Sequence, residues 1–114
     1  MKLQDLEVLV TAPPAPGWGG RYWILVKLTT DTGLVGWGEW YAASVGSKAM
    51  THVIADVFAR HMQNEHPENI EKMFRRVYSS GFTQRPDLTV MGAFSGLEIA
   101  CWDILGKHLN RPVW

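Results

Sequence analysis

The sequence is short of several things, and each shortage excludes a class of protein. It has one cysteine, Cys101, so no disulfide can form within the chain, and a reducing, cytoplasmic compartment is expected. It has no excess of either charge: Lys plus Arg and Asp plus Glu both number 11. A neutral chain offers no basic field to hold nucleic acid or an anionic membrane surface. No uninterrupted apolar run approaches the ~20 residues that a membrane helix needs. Asp5 and Glu7 interrupt the opening MKLQDLEVLV, which is therefore not expected to act as a signal peptide. There is no internal repeat, no low-complexity tract, and no H-E-x-x-H or cysteine cluster to mark a metal site.

What is present is a globular composition, 46% hydrophobic and 19% charged, in 114 residues, a length that suits one domain. Leu6, Val8 and Val10 alternate with Asp5, Glu7 and Thr11, so residues 2–11 read as a half-buried strand. TAPPAPGWGG (11–20) holds three prolines and three glycines, which leaves only a long loop around Trp18. YWILVKLTT (22–30) is β-branched and aromatic and reads as a strand. DTG (31–33) is a turn in which Gly33 can take positive φ, and LVGWGEW (34–40) is the returning strand.

From Ser47 the period becomes helical. Met50, Val53, Ile54, Val57, Phe58 and His61 share a stripe about 140° wide, with Ser44 or Ser47 as the expected cap. Pro67 is placed in the first turn of a second helix, whose apolar face is Ile70, Met73, Phe74, Val77 and Tyr78. SSGFTQRPD (79–87) is a loop. A third helix runs from near Thr89 to about His108, stopped by Asn110 in a left-handed conformation and by Pro112. Segregated strands and helices make an α+β domain over 1–114: a three-stranded antiparallel meander followed by three helices.

The third helix is unusually apolar, with ten apolar residues among the fifteen from Met91 to Leu105. On a wheel Ala93, Phe94, Leu97, Ala100, Cys101, Trp102, Ile104, Leu105 and Met91 span roughly 200°, twice the stripe a surface helix uses. Ile99 lies outside that arc, and Gly92, Ser95, Gly96 and Asp103 leave room for another backbone to come close. The expectation is a helix held between its own sheet and something beyond this chain, with Val113 and Trp114 adding to the apolar surface.

Other groupings carry less. His52 and His61 are nine positions apart, about 180° around one helix, and cannot share an ion. His66 precedes Pro67 at an expected helix start, and His108 is near a helix end. The glycines of GLVGWG lie inside a strand, where close packing or a bulge explains them better than a nucleotide. Glu98 and Asp103 do not face each other and read as structural acids bonded to a loop, an Arg or a backbone N–H. Cys101 falls in the apolar arc and reads as an inert small hydrophobe.

The hairpin TDTGLVGWGE (30–39) and the helix AFSGLEIACWDILGKHLNRPVW (93–114) closely resemble the N-terminal capping domain of the enolase superfamily, in its mandelate racemase/muconate lactonizing enzyme branch. The family pattern is a T-x-x-G-x-x-G-x-G-E hairpin and, farther on, A-x-S-x-x-D-x-A-x-W-D-x-x-G-K followed by a Pro. Glu98 stands where Asp is common, Cys101 splits the usual Ala–Leu–Trp step, and Asn110 replaces a frequent Gly. The resemblance implies a (β/α)8 barrel beyond this chain, of ~250 residues. That barrel is expected to carry the Mg²⁺ ligands and the Lys or His acid/base residues, so no catalytic or metal residue is assigned within 1–114.

The resemblance also implies that two loops of this domain, 12–22 and 40–47, reach a small carboxylate substrate. Trp18, Arg21 and Tyr22 are the candidates in the first, Trp40 and Tyr41 in the second, with Arg85 behind them. Tyr22 and Trp40 have the alternative of strand packing. An Arg suits a carboxylate because its fork is bidentate. The implied reaction is proton abstraction α to a carboxylate, acid-sugar dehydration first, with racemisation, epimerisation or cycloisomerisation as the runner-up. The full-length enzyme is expected to be a homo-oligomer. The rival from another class is a stand-alone binding module that grips a partner with its Pro/Gly/Trp loop.

Overall fold

The computed structural model describes residues 1–16, 21–40 and 45–114. Three strands come first, β1 (Leu3–Thr11), β2 (Trp23–Thr30) and β3 (Val35–Trp40). They pair antiparallel in the order β1-β2-β3. Three helices follow, α1 (Ser47–His61), α2 (Ile70–Ser80) and α3 (Leu88–Leu109); α1 and α3 pack on one face of the sheet, and α2 packs against α3 and α1. This is the α+β meander-then-helices architecture expected from the sequence.

Strand alternation decides which face is covered. Leu6, Val8 and Val10 pair with Leu28, Val26 and Ile24, so these rows share the helix-facing side. Ile24, Val26 and Leu28 of the central strand are completely buried, whereas Val10 on the edge strand is 47% exposed. The start of β1 is fixed by the α1–α2 connection: Leu3 N–H donates to Glu65 O and Asn64 N–H to Leu3 O, both at 2.8 Å. Gly33 has φ +85° in the β2–β3 turn, as the DTG sequence requires.

Contact between β3 and α3 is set by small residues. A Cβ on Gly36 would lie 2.1 Å from Ala100 O, and one on Gly38 would lie 1.9 Å from Gly96 O. The strand glycines are therefore close-packing positions, and the register of β3 on β2 runs through them unbroken. The backbone admitted by the small face of α3 is this chain's own β3.

The edge of β3 is closed by two side chains of α3. Trp37 N–H donates to Asp103 Oδ2 at 2.9 Å, and Lys107 Nζ donates to Val35 O at 2.8 Å and to Asp103 Oδ2 at 2.7 Å. The W-D-I-L-G-K run thus satisfies an edge strand's free donor and acceptor, groups that otherwise invite pairing with another chain. Asn110 ends α3 at φ 49°, ψ 47°. Arg111 N–H donates to Gly106 O at 2.9 Å and Asn110 N–H to Lys107 O at 3.2 Å, the Schellman arrangement.

Several local expectations are corrected. The cap of α1 is Gly46, with no side-chain cap hydrogen bond; Ser47 is already the first helical residue, and Ser44 lies outside the described residues. Pro67 is buried in a turn ahead of α2, whose N-cap is Asn69. Phe74 and Tyr78 are half-exposed and stack on each other, ring centroids 6.1 Å apart, instead of closing the core. α3 starts one residue early because Asp87, placed in the loop by its setting, caps it through Thr89 N–H at 3.0 Å and Val90 N–H at 3.1 Å. Among the described residues Glu98 accepts from the Trp102 indole at 3.4 Å, and not from a loop, an Arg or the backbone.

The membrane expectation also changes in form. α3, with 22 residues and a mean hydropathy of 1.4 over its best window, is long and apolar enough to cross a membrane. Periodicity counted only unbroken runs and missed this. The helix nevertheless carries Glu98 and Asp103, and its Ala93, Leu97, Ala100 and Ile104 are completely buried against the domain. One face of it is that of a core helix, while Ile99, Trp102 and Leu109 on another face stay exposed.

Candidate functional site

Antiparallel pairing places three chain ends together. Thr11 lies opposite Trp23, and Ile24 opposite Trp40, so β1 ends, β2 begins and β3 ends at the same edge. Segments 12–22 and 41–46 therefore leave from one end of the sheet. α3 runs antiparallel to β3, since Gly92 near its start abuts Trp40 and Lys107 near its end reaches Val35. The 81–87 segment, with Arg85, enters from that same end.

The candidate residues divide sharply there. Arg21 is exposed. Tyr22 is half-buried; its ring packs against the core cluster and its hydroxyl donates to Val45 O at 3.0 Å. Trp40 is 4% exposed. A Cβ on Gly92 would lie 2.7 Å from its Nε1, and one on Gly96 would lie 3.0 Å from its Cβ. Its ring is thus held under α3 by two glycines, and Nε1 has no hydrogen-bond partner among the described residues. Arg85 is exposed, and its Nε donates to Phe82 O within its own turn. Trp18 and Tyr41 lie outside the described residues. Sequence reasoning missed the Tyr22–Val45 link, because nothing in a sequence pattern reports a side chain reaching a distant carbonyl.

Three groups that could in principle do acid, base or nucleophile chemistry, Cys101, Asp103 and Glu65, are engaged otherwise. Burial, and then the nearby Glu98, push the Cys101 thiol up to about 12, so it is a protonated hydrophobe and no nucleophile. Asp103 is committed to Trp37 N–H and Lys107. The Glu65 carboxylate is held below its usual range, first by the Lys72 ammonium, at 3.0 Å, and then by the Arg76 guanidinium. No group of three or more His, Cys, Asp or Glu side chains able to hold a metal ion occurs among the described residues. The described residues therefore do not fit a divalent cation. The loop end presents an exposed guanidinium, Arg21, next to the Tyr22 phenol that is tied to Val45 O.

Known proteins share this arrangement. The family model described as the mandelate racemase / muconate lactonizing enzyme N-terminal domain matches residues 18–114. A solved mandelate racemase/muconate lactonizing enzyme from Sulfitobacter sp. is 86% identical, with a TM-score of 0.94 over 99% of this chain and 28% of that one. A mandelate racemase/muconate lactonizing enzyme-like protein from Roseovarius sp. TM1035 is 80% identical, with a TM-score of 0.95 over 100% of this chain and 29% of that one. Among curated proteins, D-galactonate dehydratase of Klebsiella pneumoniae (strain 342) is 35% identical over 94 residues, 81% of this chain and 23% of its own length. The chain spans about a quarter of the length of that curated relative. With the family match and the fold in agreement, the chain belongs to the mandelate racemase/muconate lactonizing enzyme family of the enolase superfamily, and its fold is that family's N-terminal domain.

Proposed function

We propose that this domain caps the active site of a longer cytoplasmic, homo-oligomeric enzyme that removes the proton α to a carboxylate and expels water from an acid sugar. The observation that carries the dehydratase reading is the 35% identity to D-galactonate dehydratase. Geometry supports the capping part. Two loops leave one end of the sheet, with Arg21 exposed there and Tyr22 tied across to Val45. In the longer protein a (β/α)8 barrel supplies the acid/base groups and the Mg²⁺ site, which stabilises the charge that develops on the carboxylate. The residues of this chain exclude water from the covered site and orient the substrate, Arg21 through its bidentate fork.

The test is an assay of the complete gene product against a panel of sugar acids with Mg²⁺, following α-keto acid formation by its semicarbazone. Mg²⁺-dependent α-keto acid from one or more of them is the expected result. Deuterium uptake at the α-carbon without loss of water overturns dehydration in favour of racemisation, epimerisation or cycloisomerisation. Neither reaction on any carboxylate leaves the stand-alone binding module.

A further inference from the structure

Tyr22 stands where the first loop ends, and Val45 where the second does. The Tyr22 ring packs on the core cluster, which leaves its hydroxyl little freedom, and that hydroxyl spans 23 positions of sequence to Val45 O. Val45 directly precedes Gly46, the N-cap of α1. That helix start has no side-chain cap and no acidic residue in its first turn. Neither a capping side chain nor a first-turn carboxylate fixes this helix entry, and a tether to the start of β2 stands in the same place.

We propose that Tyr22 is a positioning residue that couples the two loops. By fixing Val45 against the start of β2, it sets one separation for the ends of segments 12–22 and 41–46. Arg21, its neighbour in the chain, is then presented at a constant place relative to the first turn of α1. The ring anchored in the core makes the donor preorganised, so ordering the pair costs little conformational freedom. This deepens the capping role proposed above and rests on it.

Tyr22→Phe removes the hydroxyl and keeps the ring in the core, so the fold is retained. Amide exchange, read by mass spectrometry on the complete gene product without substrate, is the first measurement. Peptides covering 41–47 and 21–22 are expected to exchange about two- to tenfold faster, the range for loss of one hydrogen bond, while β2 stays unchanged. Unaltered exchange in 41–47, or an equal acceleration throughout β2, overturns the coupling. No substrate is added, so this result is independent of whether the enzyme proves to be a dehydratase. With a substrate from the screen above, Tyr22→Phe is expected to raise KM by a similar factor and leave kcat unchanged. A fall in kcat alone, or no kinetic effect, removes the positioning role.

Discussion

His61 shows how a single side chain can make this fold sensitive to acid. It sits at the end of α1 with Nε2 buried and unpartnered among the described residues. Its pKa is lowered from 6.5, first by burial and then by Arg60, with Arg76 adding to the effect and Asp56 opposing it. The folded state therefore binds a proton less readily than the unfolded chain does. Stability is full above pH 6.5 and falls as pH drops through that value toward the lower folded pKa. Glu65, lowered from 4.5 by Lys72 first and Arg76 second, adds a further loss at lower pH with the same sign. Urea midpoints measured from pH 8 down to pH 3 should fall in two steps, and His61→Gln should abolish the upper one. An upper step that survives in His61→Gln rules out this histidine as its source.

At the scale of elements, the sheet and α3 are held together by absence of side chains as much as by contact. Gly38 brings β3 so close to Gly96 that any Cβ would sit 1.9 Å from a backbone oxygen, which cannot move aside as a side chain tip can. Gly38→Ala must push α3 off the sheet. Overpacking of this kind costs about 1–3 kcal/mol, occasionally more. The clamp of Asp103 on Trp37 N–H lies along the same seam, so the variant should also free that amide to exchange. A Gly38→Ala urea midpoint equal to wild type contradicts the close approach.

These elements were legible to different degrees. Strand alternation located Leu6 and Val8, and the apolar arc located Ala93, Leu97, Ala100 and Ile104, because burial follows period. Asp103 was legible as a structural acid, since a carboxylate in an apolar helix needs a donor. Trp40 stood between lid and core in the sequence, and only the glycines facing it across α3 show its ring under the helix. Asp87 carried a readable signal, an Asp directly before an apolar run, but the SSGFTQRPD loop composition masked it. Tyr22 could be named but not its partner, because a side chain reaching a backbone carbonyl across 23 positions leaves no periodic trace.

For the whole molecule, shape and surface argue together. The radius of gyration is 14.3 Å, with extents of 42 × 37 × 24 Å. A compact chain of this length would have about 13 Å, so the domain is somewhat flattened. α1 and α3 cover one face of the sheet, and α3 keeps a second apolar stripe on the side turned away from the core. Ile99 is 48%, Trp102 47% and Leu109 58% exposed, and the three fall within about 80° of one another around the helix. Val113 and Trp114 add exposed apolar surface just beyond. A stripe of this kind on a separate domain drives association. Residues 1–114 expressed alone should therefore self-associate in sedimentation at micromolar concentration. The double substitution Ile99→Glu with Trp102→Lys, which touches no completely buried residue, should shift the domain toward monomer while leaving its helical circular dichroism intact. In the longer enzyme the same pair should weaken attachment of the cap and lower its thermal midpoint. A monomeric wild-type domain would show that the stripe needs no cover. A doubly substituted long enzyme with an unchanged midpoint would show that the barrel does not provide it.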